Sequence, residues 1–280
     1  MADGSTYKLA GVMGWPVRHS RSPLIHNHWI AENGLSGNYV LLPVQPDRIA
    51  DALRGLSALG FAGCNLTIPH KVSALALVDR VDPLAKRIGA INTIVVESDG
   101  SLSGRNTDAF GFIQSLHDVR PEWRADAGPI SVLGAGGAAR AILAGLVDAG
   151  ATEIRLVNRS FEKAQELAHT FGPTVQGIPW EDRHDVLADC ALLVNTTNLG
   201  MQGQPALDLS LEYLPASALV TDIVYTPLET TLLRAAKQRG NVTINGLGML
   251  MNQARLAFEA WFGIRPSIST DLIVKIKASF

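Results

Sequence analysis

The chain is 280 residues long, with 24 Lys and Arg against 26 Asp and Glu, a formal net charge of −2, and 47% hydrophobic residues. That length accommodates about two domains. The balanced charge argues against a nucleic-acid or anionic-membrane partner, and no apolar run reaches the roughly 20 residues of a membrane-spanning helix.

From the N-terminus, Met1–Thr6 is short and polar and carries none of the marks of a secretory signal. Lys8–Met13 reads as a strand. Ser22-Pro23 opens a helix, Ser as its cap and Pro at the first helical position, running to about Glu32 and stopping at Asn33-Gly34. Asn38–Val44 is a second strand. Asp47 caps a helix that carries Ile49, Leu53, Leu56 and Leu59 on one face and ends at Gly60. Gly63–Pro69 is a third strand, followed by a helix from about His70. Ile91–Val96 and Ser101–Gly104 form a hairpin across Ser98-Asp99-Gly100.

Polar residues punctuate these elements. Ser20 and Ser22 stand at alternate positions before a helix start, where two hydroxyls suit a polyol or a carboxylate; the plainer alternative is that Ser22 only caps the helix. Asn65 and Thr67 face one way along their strand. Lys71 follows that strand's C-terminal end, where α/β sheets place ligands, although a surface lysine after a turn would look the same. Asn92-Thr93 and Gly104-Arg105-Asn106-Thr107-Asp108 add amides, hydroxyls and one carboxylate. Together these groups suit a small, heavily hydroxylated acid.

A second domain begins between Thr107 and Gly111. Its strand Ile130–Leu133 leads into Gly134, Gly136 and Ala139, in G-x-G-x-x-A spacing, and then into a helical pattern from Ala138 to Ala149 ended at Gly150. The first glycine permits a tight turn and the second lets the backbone approach a pyrophosphate. The small third residue allows close helix–strand packing, with the helix N-terminus facing the anion. The strand before it and the helix after it strengthen this reading; the plainer alternative is an ordinary tight β–α turn. The next strand, Glu153–Val157, ends in Asn158-Arg159-Ser160. An NAD site usually has an acid there to hold the ribose 2′-hydroxyl. Here Arg159 stands instead, with Lys163 one turn on, and cations suit the 2′-phosphate of NADP. Leu192–Asn195 and Leu219–Val224 read as central strands, and a long amphipathic helix covers Met249–Trp261, stopped by Pro266. Cys64 and Cys190 lie among apolar neighbours and read as buried free thiols, which fits a cytoplasmic setting. No Cys, His and acid spacing reads as a metal site.

Seven segments in this order make the chain resemble the shikimate dehydrogenases. They are Ser20-x-Ser22-Pro23, Asn65-Leu-Thr67-Ile-Pro-His-Lys71, Gly89-Ala-Ile-Asn92-Thr93, Gly104-Arg-Asn106-Thr-Asp108, Gly134-Ala-Gly-Gly-Ala-Ala-Arg140, Asn158-Arg159-Ser160 and Gly246-Leu-Gly-Met-Leu250 with Gln253. The resemblance covers nearly the whole length. It implies an N-terminal α/β substrate domain over 1–107, a Rossmann-type NADP-binding domain over 108–245, and C-terminal helices over 246–280 that pack back on the first domain. It also implies NADP-dependent interconversion of 3-dehydroshikimate and shikimate, on the route to chorismate and the aromatic amino acids, by a monomer or homodimer. By the same resemblance Lys71 and Asp108 are the catalytic pair. Ser20 and Ser22 would bind the substrate carboxylate, and Asn65, Thr67, Asn92, Asn106, Tyr225 and Gln253 the rest of the substrate. Gly134, Gly136, Gly137, Ala138, Asn158, Arg159, Lys163, Thr196, Gly246 and Met249 would face the cofactor, with no metal. The chain departs from the family pattern at Asn195-Thr196-Thr197-Asn198, where Ala more often follows the first Asn, and at Asn245, where Asp is frequent. The alternatives are a quinate/shikimate dehydrogenase with relaxed substrate or cofactor use, and a non-catalytic NADP-sensing module.

Overall fold

The computed structural model describes residues 7–280, so the reading of Met1–Thr6 lies outside it. The chain divides into two compact units. The first comprises the residues up to Thr107 together with Gln253–Phe280, and the second is Asp108–Asn252.

The first unit contains β1 (Lys8–Gly14), α1 (Ser22–Glu32), β2 (Gly37–Pro43), α2 (Ile49–Ala58), β3 (Phe61–Leu66), α3 (His70–Ser73), β4 (Arg80–Val81), α4 (Pro83–Ile88), β5 (Thr93–Val96) and β6 (Leu102–Arg105). Its mixed sheet has the order β2-β1-β3-β5-β6-β4. β1 pairs in parallel with both β2 and β3, whereas β5 and β6 form the expected antiparallel hairpin. One face packs Met13, Leu53, Leu56, Cys64, Leu66, Ile91 and Ile94 into a core. An aromatic cluster contributed by α1, β2 and the C-terminal segment gathers Trp29, Tyr39, Phe258 and Trp261 around His26.

The second unit contains α5 (Asp108–Val119), β7 (Ile130–Leu133), α6 (Gly137–Asp148), β8 (Ile154–Asn158), α7 (Phe161–Phe171), β9 (Val175–Pro179), β10 (Leu192–Asn195), β11 (Leu219–Asp222), α8 (Thr231–Gln238) and β12 (Val242–Asn245). All its strands are parallel, in the order β12-β11-β10-β7-β8-β9. Numbered within the unit, this is the 3-2-1-4-5-6 order of a doubly wound dinucleotide fold. Such sheets are covered on both faces, so their strands read as continuous apolar runs; β7, β10 and β11 are buried along their whole length. The chain ends in α9 (Gly246–Phe262) and α10 (Thr270–Lys277). The division between units falls inside α9, after Asn252, seven residues beyond the 245/246 boundary read from sequence.

Local readings need correction in four places. Ser22 is the first helical residue of α1, not its cap; Arg21 holds the cap position and no side chain caps the helix. Asp47 lies inside a short 3-10 turn before α2 and likewise makes no cap bond. Leu59, expected on the buried face of α2, is 71% exposed, because the helix ends at Ala58 and Gly60 turns the chain with φ +72°. The last long helix starts at Gly246 rather than Met249, because the Asn245 side chain accepts from the Leu247 N–H at 3.1 Å and caps it.

Candidate active site

In the first unit, Asn65, Asn92 and Gln253, singled out from sequence, join one hydrogen-bonded set. Asn92 directly precedes β5 and is buried. Its Oδ1 accepts from the Thr107 backbone N–H at 2.9 Å and from the Thr93 hydroxyl at 2.9 Å. A backbone N–H can only donate, so the amide orientation is settled: Nδ2 points the other way, to Thr107 Oγ1 at 3.0 Å and Gln253 Oε1 at 3.4 Å. Asn65, on β3, donates from Nδ2 to the Asn92 carbonyl at 3.1 Å and to Thr93 Oγ1 at 3.2 Å, while Oδ1 accepts from the Tyr39 hydroxyl at 2.7 Å. Tyr39 lies within hydrogen-bonding reach of the buried Ser22 hydroxyl as well, and its burial holds the phenol pKa well above the ordinary tyrosine value. Ser20, half-buried, accepts the Ser22 N–H at 3.3 Å.

Lys71 is the second residue of α3, half-buried, and its carbonyl accepts from the Ile91 N–H at 2.8 Å. Its neighbour His70 is fully buried with Nε2 2.9 Å from the Val44 carbonyl, which ties this turn to the segment after β2. Thr67 is half-buried just beyond β3. Asn106 is buried and directs Nδ2 to the Ala90 carbonyl at 2.9 Å, so part of its amide braces the hairpin. Tyr39 was not singled out from sequence, and Thr93 and Thr107 were named within their polar motifs without a role of their own. Tyr39 lies on β2, separated from β3 by β1, so no local pattern announces its bond to Asn65.

In the second unit, Asp108 is the buried first residue of α5. Gly134 takes φ +104°, the turn conformation expected of the first glycine. A Cβ added at Gly136 or Gly137 would meet nothing within 4 Å, and Gly136 has an ordinary φ of −87°. The chain's own packing therefore does not demand glycine at either position. Open backbone ahead of a helix N-terminus fits a pyrophosphate that must come close, with Ala138 in the same first turn. Arg159 and Lys163 are exposed after the end of β8.

The other residues expected at the cofactor are engaged internally. Thr196 donates to the Leu133 carbonyl at 2.7 Å, and Asn158 Oδ1 accepts from the Ala135 N–H at 3.2 Å. Gly246 is explained by packing, since a Cβ there would lie 1.9 Å from the Ile223 carbonyl oxygen. Met249 lies half-buried on α9 against the unit's core, and Tyr225 is half-buried in the loop after β11. That loop is held by Asp222, whose Oδ1 accepts from Val224 N–H and Asn195 Nδ2, each at 3.0 Å, and whose Oδ2 accepts from the Thr230 hydroxyl at 2.7 Å. Burial raises the Asp222 pKa, against the pull of these three donors. Among the described residues no cluster of His, Cys, Asp and Glu could hold a metal ion, and no helix is long and apolar enough to cross a membrane.

Comparison with known proteins covers most of the chain. Residues 12–94 match the shikimate dehydrogenase substrate binding domain, 123–200 match shikimate/quinate 5-dehydrogenase, and 246–271 match the shikimate 5′-dehydrogenase C-terminal domain. A shikimate dehydrogenase (NADP(+)) from Paramagnetospirillum magneticum is 54% identical over 95% of this chain and 96% of its own length. Among solved structures, the Thermus thermophilus shikimate 5-dehydrogenase in complex with NADP(H) and shikimate is 37% identical, with TM-score 0.87, over 98% of this chain and 100% of that one. The quinate dehydrogenase of Corynebacterium glutamicum in complex with NAD is 29% identical with TM-score 0.89, over 98% and 99% of the two chains.

Proposed function

The chain belongs to the shikimate dehydrogenase family, and we propose that it interconverts 3-dehydroshikimate and shikimate with NADP in the cytoplasm, as a monomer or homodimer. The first unit holds the substrate and the second the cofactor. What supports this reading most directly is the buried set Asn65, Asn92, Thr107 and Gln253 beside Ser22, in a chain whose glycine turn keeps open space at Gly136 and Gly137. Burying so many polar groups is costly unless they are hydrogen-bonded, and these hold one another in place.

NADP, when bound, supplies the hydride chemistry. The residues do the rest. Ser20 and Ser22 take the carboxylate. Thr67, Asn65, Asn92, Asn106, Tyr225 and Gln253 read the hydroxyls. Reduction of the ketone builds negative charge on its oxygen; the Lys71 ammonium stabilises that charge and delivers the proton, and in the reverse direction the neutral amine accepts it. Asp108 is the second member of the catalytic pair that the family resemblance implies. On the cofactor side, the N–H groups from Gly136 to Ala138 would meet the pyrophosphate, and Arg159 with Lys163 the 2′-phosphate. Gly246 and Met249 would be the residues nearest the nicotinamide. A quinate- and NAD-linked reading is disfavoured by that cation pair, since an NAD site holds the ribose hydroxyls with an acid.

The test measures reduced-nicotinamide absorbance with shikimate or quinate, each with NADP and NAD. Turnover is expected with shikimate and NADP; binding without turnover would make the chain a sensing module. Lys71→Ala should lower kcat by about 10²–10⁴-fold with a much smaller change in KM. Single-turnover hydride transfer within about threefold of wild type would reduce Lys71 to a binding residue.

A further inference from the structure

The peptide joining Gly134 to Ala135 is gripped at both ends. Its carbonyl accepts from the Thr196 hydroxyl at 3.3 Å, and its N–H donates to Asn158 Oδ1 at 3.2 Å. Both grips are themselves held. The one Thr196 hydroxyl hydrogen is shared between the Leu133 carbonyl at 2.7 Å and the Gly134 carbonyl at 3.3 Å, and the Thr196 backbone N–H also donates to the Leu133 oxygen at 2.8 Å. Asn158 donates from Nδ2 to the Ser160 carbonyl at 2.9 Å; a carbonyl can only accept, so Oδ1 is the end left for Ala135. Thr196 directly follows β10 and Asn158 ends β8, the strands that flank β7 on either side. Turn and hydroxyl are fitted to one another: a Cβ on Gly134 would lie 2.7 Å from Thr196 Oγ1. Flipping this peptide would lose both bonds and set its oxygen against Asn158 Oδ1. The Ala135 N–H is thereby used, and the donors left for an anion begin at Gly136, where the backbone is open.

We propose that Thr196 and Asn158 serve the pyrophosphate of NADP as positioning residues. They clamp the Gly134–Ala135 peptide so that the N–H groups from Gly136 onward meet the anion, and neither side chain needs to touch the cofactor. This rests on the NADP reading above. It also gives a role to the departure noted at residue 196, because an alanine there has no hydroxyl for the β10 half of the clamp.

The test uses the full chain and equilibrium binding rather than turnover. Dissociation constants for NADPH, NADH and adenosine 2′-monophosphate are measured for wild type, Thr196→Val, Thr196→Ala and Thr196→Ser, with thermal melting of each. Losing one neutral hydrogen bond should weaken NADPH and NADH alike by about 3- to 10-fold in Thr196→Val and Thr196→Ala. Thr196→Ser, which keeps the hydroxyl, should bind as wild type. Adenosine 2′-monophosphate has no pyrophosphate, so its affinity should be unchanged throughout. Wild-type NADPH affinity in both hydroxyl-free variants would overturn the clamp, and so would an equal loss for adenosine 2′-monophosphate. If Thr196→Val does not fold, Thr196→Ala decides. A wild-type protein that binds neither NADPH nor adenosine 2′-monophosphate would instead overturn the cofactor reading itself.

Discussion

Arg159 directly follows the last residue of β8 and is exposed, four positions before the equally exposed Lys163. An exposed cation has no structural duty to lose, so its removal should act on the ligand alone. Charge-assisted hydrogen bonds contribute about 1.5–3 kcal/mol each, so Arg159→Ala should weaken NADP by roughly 10- to 150-fold and leave NAD nearly unchanged. Equal loss for both cofactors would sink the 2′-phosphate assignment. Ser22 poses the opposite question, because sequence left open whether it caps a helix or binds substrate. It makes no cap bond and lies buried beside Tyr39. Ser22→Ala should raise KM for shikimate about 3- to 10-fold without altering NADPH affinity. A spared KM with lowered melting temperature would return it to a structural role. The residue types at both positions were legible. What each side chain bonds to was not, since Tyr39 is 17 positions from Ser22 and belongs to another element.

Elements with strong local rules followed their sequence closely. The β5–β6 hairpin turns where Ser98-Asp99-Gly100 predicts, and β7 leads through the glycine turn into α6. The start of α9 did not, because Gly246-Leu-Gly248 reads locally as a breaker. Its beginning is set by one local cap and two bonds to distant backbone. Asn245 caps Leu247 N–H, Asn245 Nδ2 donates to the Leu228 carbonyl at 3.1 Å, and Gly246 N–H donates to the Val224 carbonyl at 3.1 Å. Only glycine lets the helix approach the Ile223 carbonyl this closely. Gly246→Ala must push backbone apart, and overpacking of this kind costs about 1–3 kcal/mol. Denaturant unfolding of the protein without cofactor should register that loss; unchanged stability with weakened NADP binding would show that the glycine serves the nicotinamide instead.

At the scale of the whole molecule, stability should depend on pH through His26. The ring is fully buried and stacked on Tyr39 at 4.1 Å, and neither ring nitrogen has a hydrogen-bond partner. Desolvation pushes its pKa down from 6.5 to about 3. A folded pKa below the unfolded one means that the unfolded chain takes up the proton first. This contribution is intact above about pH 6.5 and is lost at about 1.4 kcal/mol per pH unit as pH falls toward 3. Melting temperatures recorded between pH 7 and 4 should fall less steeply for His26→Phe than for wild type; parallel curves would show that His26 is not the group responsible. The sequence by itself determined two α/β units, the glycine turn, the cation pair after β8 and the inventory of polar groups, because each follows from short-range rules of apolar run length, turn chemistry and residue type. The tertiary structure alone decided that Asn92 meets Gln253 across 161 positions, that His26 lies among aromatic rings, and that the Thr196 hydroxyl faces the Leu133 carbonyl. Those partnerships arise when distant segments pack together, and the free energy of satisfying each buried polar group depends on neighbours that no local pattern specifies.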